Sequence, residues 1–153
     1  MSAIPLSCKV IIMLPSSPHS AAHKGLEHIT PPEALKRVEE HDWLFIDIRT
    51  EMEHYYVGHP IGVYNVPWQD YPDFAINPDF LDEIAELADS KETPIVLICR
   101  SGHRSIDAGN YLLEHGYHQV AHVDEGFEGD KDDEHRRSNV NGWRFRGLPW
   151  MQC

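Results

Sequence analysis

Cysteine is scarce in this sequence, and no two cysteines lie close together. The three cysteines, Cys8, Cys99 and Cys153, form no C-x-x-C pair. This pattern supports neither a disulfide framework nor a zinc site, and free thiols are typical of a reducing compartment. We therefore expect a cytoplasmic protein that uses no metal and no other cofactor.

Basic residues and long apolar runs are also few. The 13 Lys and Arg residues stand against 25 Asp and Glu residues, which gives a net charge of −12. A nucleic-acid partner is not expected, because phosphate backbones need a basic face. No run approaches the roughly 18 apolar residues of a membrane helix, so no membrane association is expected. The apolar run at 10–14 could belong to a signal peptide, but it is shorter than a typical one. Export to the periplasm is therefore the weaker alternative.

Two parts of the chain are distinguished by their patterns. Residues 1–24 are expected to form a flexible N-terminal extension, and residues 25–153 one domain. Strands are predicted within 43–50, 62–67, 94–98 and 119–123, and helices after Thr30, Thr50, Asn77 and Arg104. Strands that alternate with helices predict an α/β fold with a parallel sheet.

The segment IVLICRSGHRSIDAG, residues 95–109, places Cys99 between a buried strand and a helix. Arg100, His103 and Arg104 follow the cysteine, and the helix would begin directly behind it. A thiol reacts as the thiolate, which cations and a helix N-terminus stabilise. The loop can also curl so that its N–H groups meet at one point, for which Gly102 gives the freedom. We therefore predict a reactive thiol rather than a buried structural cysteine.

Three motifs resemble the family of rhodanese-type sulfurtransferases. They are CRSGHRS at 99–105, DIRT with GHPIGVYNVP within 47–67, and the glycine-rich segment from GFEG to GLPW at 126–150. The resemblance implies a rhodanese-like central parallel sheet flanked by helices on both faces. It also implies a ping-pong enzyme that moves a sulfane sulfur from a donor such as thiosulfate through a persulfide on Cys99. The acceptor would be cyanide or a thiol, and a sulfur-relay protein is a further possible partner.

The same resemblance assigns roles to individual residues. Cys99 would be the nucleophile, and Arg100 and Arg104 would receive the small anionic donor. The backbone amides of the loop would hold the persulfide. The remaining residues of the loop are Ser101, Gly102, His103 and Ser105. Structural support is expected from four residues outside the loop, Asp47, Arg49, Glu53 and His59. Among them, Arg49 would pair with an acid such as Glu53.

Three alternatives remain open. Cysteine phosphatases and arsenate reductases related to this fold use C-x₅-R, whereas Arg104 here completes C-x₄-R. A rhodanese-like module that only binds or regulates is another, since one fold hosts many functions. A metal site among the histidines at 115, 118 and 122 is the third, but scattered surface histidines are the better interpretation.

The closing part of the chain departs from a minimal version of this family. The segment between Gly129 and Trp143 is long and charged, and we expect it to lie beside the active-site loop. The aromatic residues Trp143, Phe145 and Trp150 are expected to pack the end of the chain against the domain.

Overall fold

A computed structural model describes residues 25–153; the predicted flexible extension at 1–24, with Cys8, lies outside the described residues. The described residues form seven strands: β1 (Glu27–Ile29), β2 (Leu44–Asp47), β3 (His59–Pro60), β4 (Tyr64–Asn65), β5 (Ile95–Ile98), β6 (Val120–Val123) and β7 (Trp150–Met151). The helices are α1 (Pro31–His41), a π-helix (Glu53–Val57), α2 (Phe80–Leu87) and α3 (Arg104–Glu114). None of these helices is long and apolar enough to cross a membrane.

The central sheet has five parallel strands in the order β1-β6-β5-β2-β4. All four residues of β5 and of β6 are buried, because the sheet is covered on both faces. On one face, Ile84 of α2 and Leu112 of α3 pack against the sheet. On the other, Ala34 of α1 joins Phe127 and Trp143 of the closing segment. The predicted α/β architecture with helices on both faces is confirmed.

Local capping signals place two of the helical segments. The Thr30 hydroxyl accepts a hydrogen bond from the Glu33 amide at the start of α1. At the second start, the Glu53 amide donates to the Thr50 hydroxyl and the Glu53 carboxylate accepts from the Thr50 amide. This reciprocal pair is a complete capping box, as predicted, although the helix that follows it is a π-helix.

Three short strands and one aromatic residue differ from the sequence-based predictions. Strand β1 pairs in parallel with β6 at the sheet edge, and β3 pairs with β7 in a separate antiparallel ribbon. None of the three was predicted, because two or three residues are too few to show a hydrophobic period. The expectation that Phe145 packs on the domain is wrong, since it is 50% exposed, whereas Trp143 is fully buried.

Candidate active site

The carboxyl ends of neighbouring parallel strands bring the polar residues of the site to one edge of the sheet. Cys99 directly follows β5, Asp47 ends β2, and Asp124 follows β6. Side chains and loops at this edge of an open α/β sheet are where ligands usually bind. The fold therefore places the predicted reactive cysteine where a site is expected.

The loop that begins at Cys99 curls around the sulfur. The Gly102 amide donates a hydrogen bond to Cys99 Sγ at 3.2 Å, and α3 begins two residues later, at Arg104. Gly102 has a φ of +95°, and an added Cβ would collide with the carbonyl oxygen of Asp124. Only glycine suits this position, so the loop can bring an N–H donor to the sulfur. Cys99 itself is only 1% exposed.

Backbone hydrogen bonds from the closing segment fix the shape of the loop. The Phe127 amide donates to the Cys99 carbonyl at 2.8 Å. The amides of Glu128 and Gly129 both donate to the Arg100 carbonyl, at 2.9 and 3.1 Å. The start of the long charged segment thus lies beside the loop, as predicted.

Arg104 forms a bidentate ion pair with Glu53, which lies 51 positions earlier in the chain. Its Nη1 and Nη2 donate to Glu53 Oε2 and Oε1 at 2.9 and 2.8 Å. Burial alone would raise the pKa of Glu53, but the hydrogen bonds and charge of Arg104 outweigh it and keep that pKa below its ordinary value. The charge of Arg104 is therefore largely balanced by Glu53 within the protein.

Arg49 pairs with an acid, as expected, but that acid is Asp47 and not Glu53. Both side chains are fully buried, and Arg49 Nε and Nη2 donate to Asp47 Oδ1 and Oδ2 at 2.9 and 2.7 Å. Glu53 is not available to Arg49, because its carboxylate already pairs with Arg104 and accepts from the Thr50 amide. Arg49 Nη2 also donates to the Gly58 carbonyl, and its guanidinium lies 4.7 Å from the centre of the Phe127 ring.

His54, which the sequence interpretation did not single out, completes this buried cluster. Its Nδ1–H donates to Asp47 Oδ2 at 2.9 Å. Burial would raise the pKa of Asp47, but the charge of Arg49 and the hydrogen bonds from His54 and Arg49 prevail and hold it below its ordinary value. His59 stacks on His54 at 3.8 Å and donates to its carbonyl, so it has the hydrogen-bonding position expected of a supporting residue.

A row of hydrogen bonds runs from the sulfur in the direction away from these arginines. Cys99 Sγ–H donates to Ser105 Oγ at 3.3 Å, and Ser105 Oγ lies 2.7 Å from His122 Nδ1. His122 Nε2 in turn lies 2.7 Å from Nδ1 of His28. The interpretation of His122 as a surface histidine is wrong, because it is 1% exposed on β6. The apolar neighbours of His122 in QVAHV were a signal of this burial.

The other two histidines that were considered as metal ligands lie apart from this row of hydrogen bonds. His115 donates through Nδ1 to the Tyr111 carbonyl, and His118 pairs with Glu92. Within residues 25–153, no three His, Cys, Asp or Glu side chains are placed to hold a metal ion.

A pocket of about 540 Å³ opens beside the loop. Three arginines, Arg100, Arg104 and Arg137, line it together with Glu53 and Glu128. The rest of its wall is mainly apolar or aromatic and consists of Thr50, Met52, Val57, Tyr71 and Phe74. Cys99 does not line this pocket, but its neighbour Arg100 does. Ser101 and His103, also predicted as loop residues, contact each other through Oγ and Nδ1 at 3.3 Å on the exposed side.

Comparison with protein families gives one match that spans most of the described chain. The family described as Rhodanese-like domain matches residues 30–133. A crystal structure of Rv0390 from M. tuberculosis is 34% identical and has a TM-score of 0.74. The match covers 85% of this chain and 100% of the Rv0390 chain.

Two further proteins are similar over smaller or more divergent stretches. A tRNA uridine(34) hydroxylase of Chlamydia pneumoniae is 29% identical over 103 residues, which are 67% of this chain and 31% of that protein. The polysulfide-sulfur transferase homodimer from Wolinella succinogenes has a TM-score of 0.59 and 21% identity, with 88% of this chain and 84% of that one covered. At this identity, the second likeness concerns the fold alone.

Proposed function

The chain belongs to the rhodanese-like domain family, and on that premise we propose that it is a sulfurtransferase that works through a persulfide on Cys99. The observation that carries the proposal is the Gly102 amide, which donates to Cys99 Sγ inside a loop flanked by arginines. An N–H donor aimed at sulfur stabilises the thiolate before attack and remains close to the persulfide afterwards.

The first half of the reaction loads the cysteine. The Cys99 thiolate attacks the outer sulfur of a donor such as thiosulfate, and a new S–S bond forms. The S–S bond of the donor breaks, and sulfite leaves with its electron pair. The enzyme then carries a Cys99 persulfide anion. The proton of the original thiol must leave before this attack, because the thiol itself is a poor nucleophile.

The second half unloads the outer sulfur. Cyanide, or a thiolate, attacks the outer sulfur of the persulfide, and Cys99 leaves with the electrons of the S–S bond as a thiolate. Thiocyanate or a new persulfide is released. Because donor and acceptor use the same sulfur in turn, the kinetics are ping-pong.

The pocket beside the loop is where we propose that an anionic donor is received. Arg104 is held by Glu53, so Arg100 and Arg137 supply the positive charge that remains for a donor. Arg100 is exposed, and none of the ion pairs within residues 25–153 involves it. Arg104 was expected from the sequence to receive the donor, and we propose instead that its pairing with Glu53 positions the loop.

Two comparisons bear on the proposed chemistry. The likeness to the polysulfide-sulfur transferase concerns the fold, so the family match over residues 30–133 is what supports sulfur transfer as the reaction class. The match to the tRNA hydroxylase covers only 31% of that protein, so it gives no support for the hydroxylase activity in this chain. The C-x₄-R spacing of the loop favours sulfur over a phosphoryl group, as geometry positions the reacting atoms.

Mass spectrometry of the intact protein tests the proposal. After incubation with thiosulfate and removal of small molecules, the wild type should carry one additional sulfur atom. Cys99→Ser should carry none, whereas Cys153→Ser, which removes an exposed thiol, should load like the wild type. Subsequent addition of cyanide should remove the sulfur and yield an equal amount of thiocyanate.

The alternatives predict other results. A wild type that gains no sulfur from thiosulfate, polysulfide or a low-molecular-weight persulfide would contradict sulfur transfer and favour a binding module. Hydrolysis of a phosphate ester that depends on Cys99 would instead favour the phosphatase alternative.

A further inference from the structure

A continuous row of hydrogen bonds connects Cys99 with the protein surface. Ser105 and His122 are buried, whereas His28 at the end of the row is exposed. The three contacts measure 3.3, 2.7 and 2.7 Å. Cys99 is almost completely buried and does not line the neighbouring pocket, so this row offers its thiol a direct connection to water.

The direction of each hydrogen bond follows from the single proton on the serine hydroxyl. When the Cys99 thiol donates to Ser105 Oγ, the hydroxyl proton of Ser105 points to His122 Nδ1. His122 then carries its proton on Nε2 and donates to His28 Nδ1, and His28 presents Nε2–H to solvent. When Cys99 is a thiolate, Ser105 donates to the sulfur, and every bond in the row reverses.

The charge state of His122 allows both arrangements. Burial, together with the neighbouring His28, lowers the pKa of His122 to about 4, so the ring is neutral near pH 7. A neutral imidazole has one donor and one acceptor nitrogen, as a member of such a row requires. The other charged groups near the row are Asp124, close to His28, and Arg104, close to Cys99.

We propose that Ser105, His122 and His28 form a proton path from the Cys99 thiol to solvent, with the two histidines as positioning residues that act through Ser105. The thiol proton moves to Ser105 Oγ, and the hydroxyl proton moves to His122 Nδ1. The Nε2 proton of His122 moves to His28 Nδ1, and the Nε2 proton of His28 moves to water or buffer. Sulfur keeps the electrons of the S–H bond, and both rings change tautomer.

Nitrogen NMR of the histidine rings tests the path without any sulfur transfer. The comparison is made at a pH where ultraviolet absorbance shows Cys99 of the wild type to be a thiolate. There His122 and His28 should both carry the proton on Nδ1. In Cys99→Ser at the same pH, where no thiolate exists, both should carry it on Nε2. Identical tautomers in the two proteins would overturn the proposal.

A kinetic experiment tests the exit at His28, and this part rests on the proposed function. His28→Gln keeps an acceptor for His122 Nε2–H, but an amide does not pass a proton on. The variant lies at an exposed residue, so folding should be unaffected. At a pH where Cys99 is a thiol, loading with sulfur from thiosulfate at low buffer concentration should be about tenfold slower. Added imidazole should restore the wild-type rate.

His41→Gln, at another exposed histidine near the end of α1, is the matched control and should load like the wild type. An unchanged loading rate in His28→Gln, or a loss that imidazole does not restore, would contradict the proton path. If the wild type takes up no sulfur, the proposed function fails, and the tautomers alone decide whether the path exists.

Discussion

Asp47→Asn removes the only negative charge that contacts the buried guanidinium of Arg49 within the described residues. Asp47 accepts hydrogen bonds from Arg49 and His54, and neither Asp47 nor Arg49 has any exposed surface. The substitution keeps the size of the side chain and one oxygen acceptor. Its main effect is therefore to leave a buried positive charge without a counter-charge.

The expected cost is large for a change of one atom. Breaking a buried ion pair from one side destabilises a protein by about 3–5 kcal/mol. For a chain of this size, such a loss lowers the melting temperature by about 10–15 °C. Thermal unfolding followed by circular dichroism measures it, with Asp89→Asn, an exposed carboxylate, as the control that should change little.

The pH dependence gives this prediction a second test. The folded protein holds the pKa of Asp47 below its ordinary value of 3.8. The stabilisation is therefore complete above pH 3.8 and is lost as the pH falls through the lower pKa of the folded state. The gap in melting temperature between wild type and Asp47→Asn should narrow in that acidic range. A loss under about 1 kcal/mol near pH 7 would refute the reasoning, because it would match an exposed ion pair.

Two further substitutions have matched controls. Gly102→Ala and Gly62→Ala both place a side chain at positive φ, but only the first meets a neighbour, the Asp124 carbonyl. In urea unfolding, Gly62→Ala should lower the free energy of unfolding by about 1 kcal/mol and Gly102→Ala by about 2 kcal/mol or more. Equal losses in the two variants would contradict the contact with Asp124. Arg100→Gln should raise the KM for thiosulfate about fivefold at low salt, as about 1 kcal/mol of lost attraction implies. The exposed Arg136→Gln should leave KM unchanged, and a similar rise in both variants would show a general charge effect.

Contiguous signals in the sequence were the ones that predicted the structure well. The run from Ile95 to Gly109 contains a strand, a tight loop and a helix, and all three formed where expected because each depends on local residues. The capping box at Thr50 and Glu53 is local in the same way. The residue roles that the family resemblance supplied for the loop stay predictions.

Pairings between distant segments could not be read in the same way. Glu53 and Arg104 are 51 positions apart, and sequence spacing contains no information on which acid reaches which arginine. His122 and His28 meet only because β1 and β6 are neighbours, and β1 itself was too short to predict. The burial of His122 could have been inferred from its apolar strand, but its partners could not.

The dual role of Glu53 has a consequence for protein design. Glu53 Oε2 accepts from the amide and hydroxyl of Thr50 and also from Arg104 Nη1. One carboxylate thus joins a helix start to the loop around the sulfur. Grafting residues 99–105 alone onto another α/β scaffold would leave Arg104 without its anchor. A functional transplant would have to carry the segment from Thr50 to Val57 as well, in the same spatial relation to the loop.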